Sequence, residues 1–109
     1  SLINDVVGRS LDMIEVSGGK KLPGEFFVHL MLDYPEVLKF QVVQAESKEL
    51  TLKIIPSSVF DKDQIGNIVD KIREVSGPEI SITCQIVTDI PLTASGKYRV
   101  AFSMVPEAL

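Results

Sequence analysis

The sequence predicts an α+β domain, a small mixed or antiparallel sheet with two helices packed on one face, preceded by a short β-hairpin. Two observations carry this reading. Four segments alternate apolar and polar residues as half-buried strands do, and two others repeat apolar residues with the helical period. A third bounds the size: 109 residues make one domain, and 45% hydrophobic with 24% charged residues is ordinary for a folded chain.

In chain order, Asp12-Met13-Ile14-Glu15-Val16 reads as a short strand ending at Ser17-Gly18-Gly19, where glycine permits the positive φ of a tight turn. Pro23 suits a first helical turn, and Phe27, Leu30, Met31 and Tyr34 follow at i, i+3, i+4 and i+7. Leu38, Phe40 and Val42 alternate with Lys39 and Gln41. After a turn at Glu46-Ser47-Lys48-Glu49, Leu50, Leu52 and Ile54 alternate with Thr51 and Lys53. Ile65, Ile68, Val69 and Ile72 restore the helical spacing between Asp61 and Gly77. Asp61 and Asp63 stand near the positive end of that helix dipole, and Gly77-Pro78 ends it. Ile80, Ile82, Cys84 and Ile86 against Ser81, Thr83 and Gln85 form the last strand, and from Asp89 the chain reads as a loop-rich tail. Strands 38–43, 50–55 and 80–87 are expected in one sheet. Their inward set, Phe40, Val42, Leu52, Ile54, Ile82 and Ile86, needs cover from the apolar stripes of both helices.

Eleven basic against 15 acidic residues give a net charge of −4 and a pI near 4.9, so the basic field that neutralises a phosphate backbone is missing. Nucleic acid is not an expected partner. Apolar runs such as 26–28 and 30–32 fall far short of the roughly 20 residues that span a bilayer, and no membrane segment is expected. The N-terminus lacks the basic-then-apolar pattern of a secretory signal, and the single Cys84 fits a reducing cytoplasm.

One histidine and one cysteine, without ligand-spaced companions, give no metal site and no nucleophile–base pair. Cys84 alternates with isoleucines on an inward face, as a small hydrophobe does. His29 reads as a helix-surface or boundary residue, and Asp61, Asp63, Asp70 and Glu74 as a solvated face or cap of the second helix. Two segments, 8–18 and 90–99, resist such accounts and lie at opposite ends of the domain. In the second, Thr93-Ala94-Ser95-Gly96 has no apolar anchor, so it reads as a mobile exposed loop ending in the amine of Lys97. Such a lysine is suited to meet a phosphate or carboxylate as a mobile point charge. On spacing alone the plainer reading, a turn with a solvated lysine, comes first.

Together the two segments resemble the signature of the C-terminal domain of adenylate-forming enzymes, the acyl-CoA ligase superfamily. That domain opens with Gly-Arg-x-Asp-Asp-x-Ile-x-x-x-Gly and closes with Pro-x-Thr-x-x-Gly-Lys. Gly8, Arg9, Asp12, Ile14 and Gly18 match the opening; Pro91, Thr93, Gly96 and Lys97 match the close. Pro23 with its helix, Val42-Val43-Gln44 and the run from Thr93 to Val100 bring the chain to the phenylacetate-CoA ligase and CapK-like branch, over residues 7–105. One position departs from the pattern. Leu11 stands where the family carries the first of two acids, often the pivot of domain rotation, which leaves Asp12 as the acid there.

The resemblance implies a ligase that joins a small carboxylic acid to the α-phosphate of ATP, releases pyrophosphate and then passes the acyl group to coenzyme A. It implies Lys97 as the catalytic lysine, Arg9 and Asp12 at the nucleotide and domain junction, and Gly18 beside the CoA channel. Read from residue type alone, Arg9 is equally an ordinary surface ion pair and Gly18 a plain turn glycine. ATP and Mg2+ would be held mainly by an N-terminal adenylation domain, the natural partner of this one. Residues 1–109, beginning with Ser1 rather than Met, are then expected to be a single C-terminal lid domain cut from a longer chain and inert alone. The alternative is a free-standing small α/β module that binds a ligand or a protein without catalysis. The reading frame upstream of Ser1 separates the two.

Overall fold

The computed structural model describes residues 9–105, the side chains of Arg9 and Ser10 excepted. In chain order the elements are β1 (Arg9–Leu11), β2 (Met13–Glu15), a 3-10 turn (Ser17–Gly19), β3 (Lys21–Pro23), α1 (Gly24–Met31), β4 (Val37–Glu46), β5 (Glu49–Pro56), α2 (Gln64–Ser76), β6 (Ser81–Ile86) and β7 (Tyr98–Ser103). β2 and β3 form the expected hairpin. The other five strands make one sheet in the order β1-β7-β4-β5-β6, antiparallel only between β4 and β5.

Strand alternation decides what the sheet buries. Val42 on β4 and Leu50, Leu52 and Ile54 on β5 turn to one face, where they share a single core with Phe27, Leu30, Met31 and Tyr34 from α1 and its exit and with Ile68 and Ile72 from α2. Both helices therefore cover the same face of the sheet, as the inward set requires. Each such side chain contributes about 1.5–3 kcal/mol by leaving water. Tyr34 lies beyond the last helical residue, yet the stripe continues because the turn after α1 keeps coiling, with Tyr34 N–H donating to the Met31 carbonyl at 3.0 Å.

α1 begins directly after Pro23, whose extended backbone supplies the entry, and Glu25 complements the dipole in the first turn. Its start lies unusually close to the sheet. A Cβ on the buried Gly24 would stand 3.0 Å from the Asp12 carbonyl oxygen and 3.1 Å from the side chains of Ala101 and Leu11. Asp61 organises the approach to α2 rather than capping it: its Oδ1 accepts from the Asp63 N–H at 2.9 Å. Gly77, at φ +92°, ends the helix as expected.

Three expectations are corrected. The tail is not all loop, because residues 98–103 form β7, an interior strand of the sheet that pairs in parallel with β1 on one side and β4 on the other. Alternation is absent there for a physical reason. Ser10 pairs with Arg99 but Leu11 with Ala101, so β7 carries one extra residue, and consecutive Val100 and Ala101 both become buried. Ile86, assigned to the inward set, is 48% exposed at the end of the edge strand β6. Finally, segments 8–18 and 90–99 do not lie wholly apart: β1 and β7 are sheet neighbours.

Candidate functional site

The parallel β1–β7 pair sets the geometry. Arg9 stands beside Tyr98 in the ladder, so the opening and closing motifs enter the sheet together, with Lys97 one residue before β7. Gly8 lies outside the described residues, as does the Arg9 side chain, so the role expected of Arg9 has only its backbone placement here.

The segment before β7 is exposed, as expected, and is a turn closed by its own hydrogen bonds. Thr93 N–H donates to the Lys97 carbonyl at 2.8 Å and Gly96 N–H to the Thr93 carbonyl at 2.9 Å. Thr93 Oγ1 in turn accepts from the Lys97 N–H at 3.0 Å and lies 3.1 Å from Ser95 Oγ. Gly96 takes φ +81°, a conformation that favours glycine. Thus the backbone under Lys97 is hydrogen-bonded while its side chain is exposed, and no described carboxylate forms an ion pair with it. Beside the turn, Tyr98 anchors the start of β7: its hydroxyl donates to the Phe40 carbonyl and the Lys39 ammonium lies 4.6 Å from its ring centre. Next to it a groove of about 230 Å³ is lined chiefly by apolar side chains, with Leu32 and Leu38, 69% and 68% exposed, at its rim.

Asp12 sits in the link between β1 and β2. Its N–H donates to the Ala101 carbonyl at 2.9 Å and its Oδ2 lies 3.6 Å from Arg99 Nη2. Both side chains are about two-fifths exposed, so the pair itself contributes at most about 1 kcal/mol. Arg99 lies inside the Thr93–Val100 run, where residue type alone gives it no role. It holds Asp12 and stacks on Phe102, guanidinium to ring centre 3.8 Å.

Gly18 is placed at the other end. β7 and β4 run in parallel, and the β2–β3 hairpin is tied to their C-terminal ends by Gln44, which is fully buried. Gln44 Oε1 accepts from the Glu15 N–H at 3.0 Å and from Ser103 Oγ at 2.9 Å, and its Nε2 donates to the Glu15 carbonyl at 2.6 Å. Six residues of β7 therefore separate the hairpin from Lys97, roughly 20 Å at strand rise. Gly18 is exposed at φ +75°, and a Cβ there would meet nothing within 4 Å. Its requirement is conformational, not one of space. The adjacent Ser17 packs against Gly77, where an added Cβ would stand 2.5 Å from Ser17 Oγ. Alternation could have placed Gln44 on the inward face with Phe40 and Val42; nothing local in sequence named its partners.

Other candidates fall where the sequence put them. His29 is exposed on α1, and Cys84 is half-buried, its thiol pushed up in pKa by burial. No group of three His, Cys, Asp or Glu side chains among the described residues could hold a metal ion. No described helix is long and apolar enough to cross a membrane. Chemically, the described residues at the Lys97 end offer an exposed cation on a hydrogen-bonded turn.

Comparison with known proteins agrees with this layout. The model of the CapK C-terminal domain matches residues 14–103. The crystal structure of a domain of phenylacetate-coenzyme A ligase from Bacteroides vulgatus ATCC 8482 has the same fold, at 17% identity over 84% of this chain and 93% of that one, with a TM-score of 0.52. No curated protein matches. A family match over most of the chain, on an architecture shared with a ligase domain, places the chain in the CapK C-terminal domain family.

Proposed function

We propose that this domain serves an ATP-dependent, AMP-forming carboxylic acid ligase, supplies its catalytic lysine from Lys97 and closes over the active site of an N-terminal adenylation domain. The observation that carries the reading is the Lys97 turn: a hydrogen-bonded backbone presenting an exposed ammonium without an ion-pair partner among the described residues. The first half-reaction brings a carboxylate up to the α-phosphate of ATP, anion against anion. A cation between them is worth most as charge gathers in the transition state. The neighbouring groove, with Leu32 and Leu38 at its rim, is suited to seat against the adenylation domain and exclude water, which would hydrolyse the acyl-adenylate.

The residues present fit ATP only in part. Lys97 could meet a phosphate oxygen, but the described chain has neither a glycine-rich phosphate cradle nor an acid cluster for Mg2+, so both belong mainly to the partner domain. Asp12, fixed by Arg99 and by the Ala101 carbonyl, is the acid available at the junction where Leu11 replaces the family's pivot acid. Gly18, on the far side of the domain from Lys97, would face a thioester-forming arrangement with coenzyme A as acceptor. Two functional faces at opposite ends of one strand suit a domain that turns between half-reactions.

The test is to measure both half-reactions on one Lys97→Ala enzyme carrying its adenylation domain. Acyl-adenylate formation should slow by roughly two to four orders of magnitude, with thioester formation from presynthesised adenylate much less affected. Equal losses would make Lys97 structural or the domain fixed. The isolated 109-residue chain should show no ATP–pyrophosphate exchange with any carboxylic acid. Micromolar ATP binding to it by calorimetry would favour a free-standing ligand-binding module.

A further inference from the structure

We propose that the free edge of β6 is a self-association surface: two copies of this chain pair antiparallel along β6, about a two-fold axis at Cys84, and join their five-stranded sheets into one. β6 closes the strand order, and no described strand lies outside it. Ser81 N–H donates to Lys48 and Val87 N–H to Ile54, so by alternation Ser81, Thr83, Gln85 and Val87 direct their amides to β5. Ile82, Cys84 and Ile86 therefore turn theirs outward. This set has an odd count and is centred on Cys84. A two-fold axis there pairs Cys84 with Cys84 of the partner subunit and Ile82 with Ile86 of the partner subunit, and it satisfies every outward amide of the three.

The two edges of the sheet differ in how they are protected. β1 has three described residues and its pairing with β7 is irregular, both of which blunt an edge. β6 has six residues, Ser-Ile-Thr-Cys-Gln-Ile, with no charge and no proline, and an unbroken register with β5. The half-exposed Ile86 gains cover from Ile82 of the partner subunit, and the reverse holds by symmetry.

The helix above β6 supports the same geometry. Lys71 pairs with Asp33 at 3.8 Å and lies over Tyr34, so that flank of α2 faces the exit of α1. At 100° per residue, Gly66, Val69 and Arg73 occupy the opposite flank, above the free edge. A Cβ on Gly66 would meet nothing within 4 Å. In the joined sheet this flank meets its own copy at the usual helix separation of about 8–10 Å, where a glycine allows close approach. What favours a second copy over an unrelated strand is the apolar match: the half-exposed Ile86 of each copy meets Ile82 of the other in that register.

Strand pairing plus one helix flank makes a small interface, so the expected dissociation constant is on the order of 10–100 µM. Sedimentation equilibrium at about 1 mM chain, where such a complex is nearly saturated, should give twice the 12.0 kDa mass. Thr83 and Gln85 are exposed in the single chain and face each other across the proposed axis, so charge can be introduced there without entering the core. Thr83→Lys/Gln85→Lys and Thr83→Glu/Gln85→Glu should each associate at least roughly ten-fold more weakly, and an equimolar mixture should recover the dimer. Gly66→Arg should weaken association without touching β6. Mild oxidation should cross-link Cys84 in the original chain, since paired Cα atoms about 5.5 Å apart lie within disulfide range, but not in the lysine variant. Three results overturn the proposal: a monomer at 1 mM; a dimer indifferent to these charges; or slow amide exchange at Ile82, Cys84 and Ile86 in a monomer, which would mean that another segment covers the edge.

Discussion

At the N-terminal end of β7 the Lys97 turn closes on itself, through Thr93, Ser95 and Gly96 alone; at the C-terminal end the Gly18 hairpin is held by Gln44 from β4, Ser103 from β7 and the close contact of Ser17 with Gly77. The first turn depends on bonds between residues at most four apart in sequence. The second depends on residues 29 to 60 positions away. Damage to the first should therefore alter chemistry with little effect on folding, whereas damage to the second should be felt by the whole core.

The largest expected effect belongs to the first end. Lys97→Ala should cost the proposed adenylation step two to four orders of magnitude, while the thermal midpoint of the domain stays where it was, since the side chain is exposed and unpaired among described residues. A fall in that midpoint would show that the lysine also carries structure. Next comes Gln44→Leu, which leaves the Glu15 N–H and carbonyl without their partner at the hairpin and should lower stability by about 2–4 kcal/mol in urea denaturation. Gly77→Ala forces a side chain into φ +92° against Ser17 and should cost about 1–3 kcal/mol by the same measurement. Thr93→Val removes the acceptor of the Lys97 N–H, for about 0.5–1 kcal/mol of stability. If it slows adenylation without changing KM for the acid, the turn positions the lysine.

The smallest effect is at Cys84. Burial raises its thiol pKa, so the folded chain holds this proton more tightly than the unfolded chain. The resulting stability is complete below the unfolded thiol pKa and is lost as pH rises through the higher folded value. Alkylation by iodoacetamide should accordingly show a pH midpoint above that of the same chain in denaturant.

How much of this was legible in sequence follows from what kind of signal each feature leaves. β4, β5 and both helices were readable because each buries one face, and burial of one face is written as a period. β7 was not, since its neighbours bury Val100 and Ala101 together and its extra residue removes the alternation that marks a strand. The Lys97 segment was legible as a motif and as exposed, but the hydrogen bonds of Thr93, a small polar residue among other small polar residues, have no signature in composition. Gln44 was hidden for the opposite reason. A glutamine in a strand reads as solvent-facing, and only the arrival of Glu15 and Ser103 from distant parts of the chain makes its burial tolerable.

The extra residue in β7 also acts as a phase setter. In a regular strand Arg99 and Phe102, three positions apart, would point to opposite faces; here the guanidinium lies over the ring because the alternation slips by one between them. Everything upstream of the slip, Tyr98 and the Lys97 turn included, is thereby presented half a period out of step with everything downstream. Removing Val100 would restore regular alternation and direct the lysine turn toward the other side of the sheet, with Pro91, Thr93, Gly96 and Lys97 still present. Which side of the domain offers the Lys97 charge is thus fixed by a count of residues, and a one-residue deletion there should reduce the proposed adenylation more than conservative replacement of its neighbours.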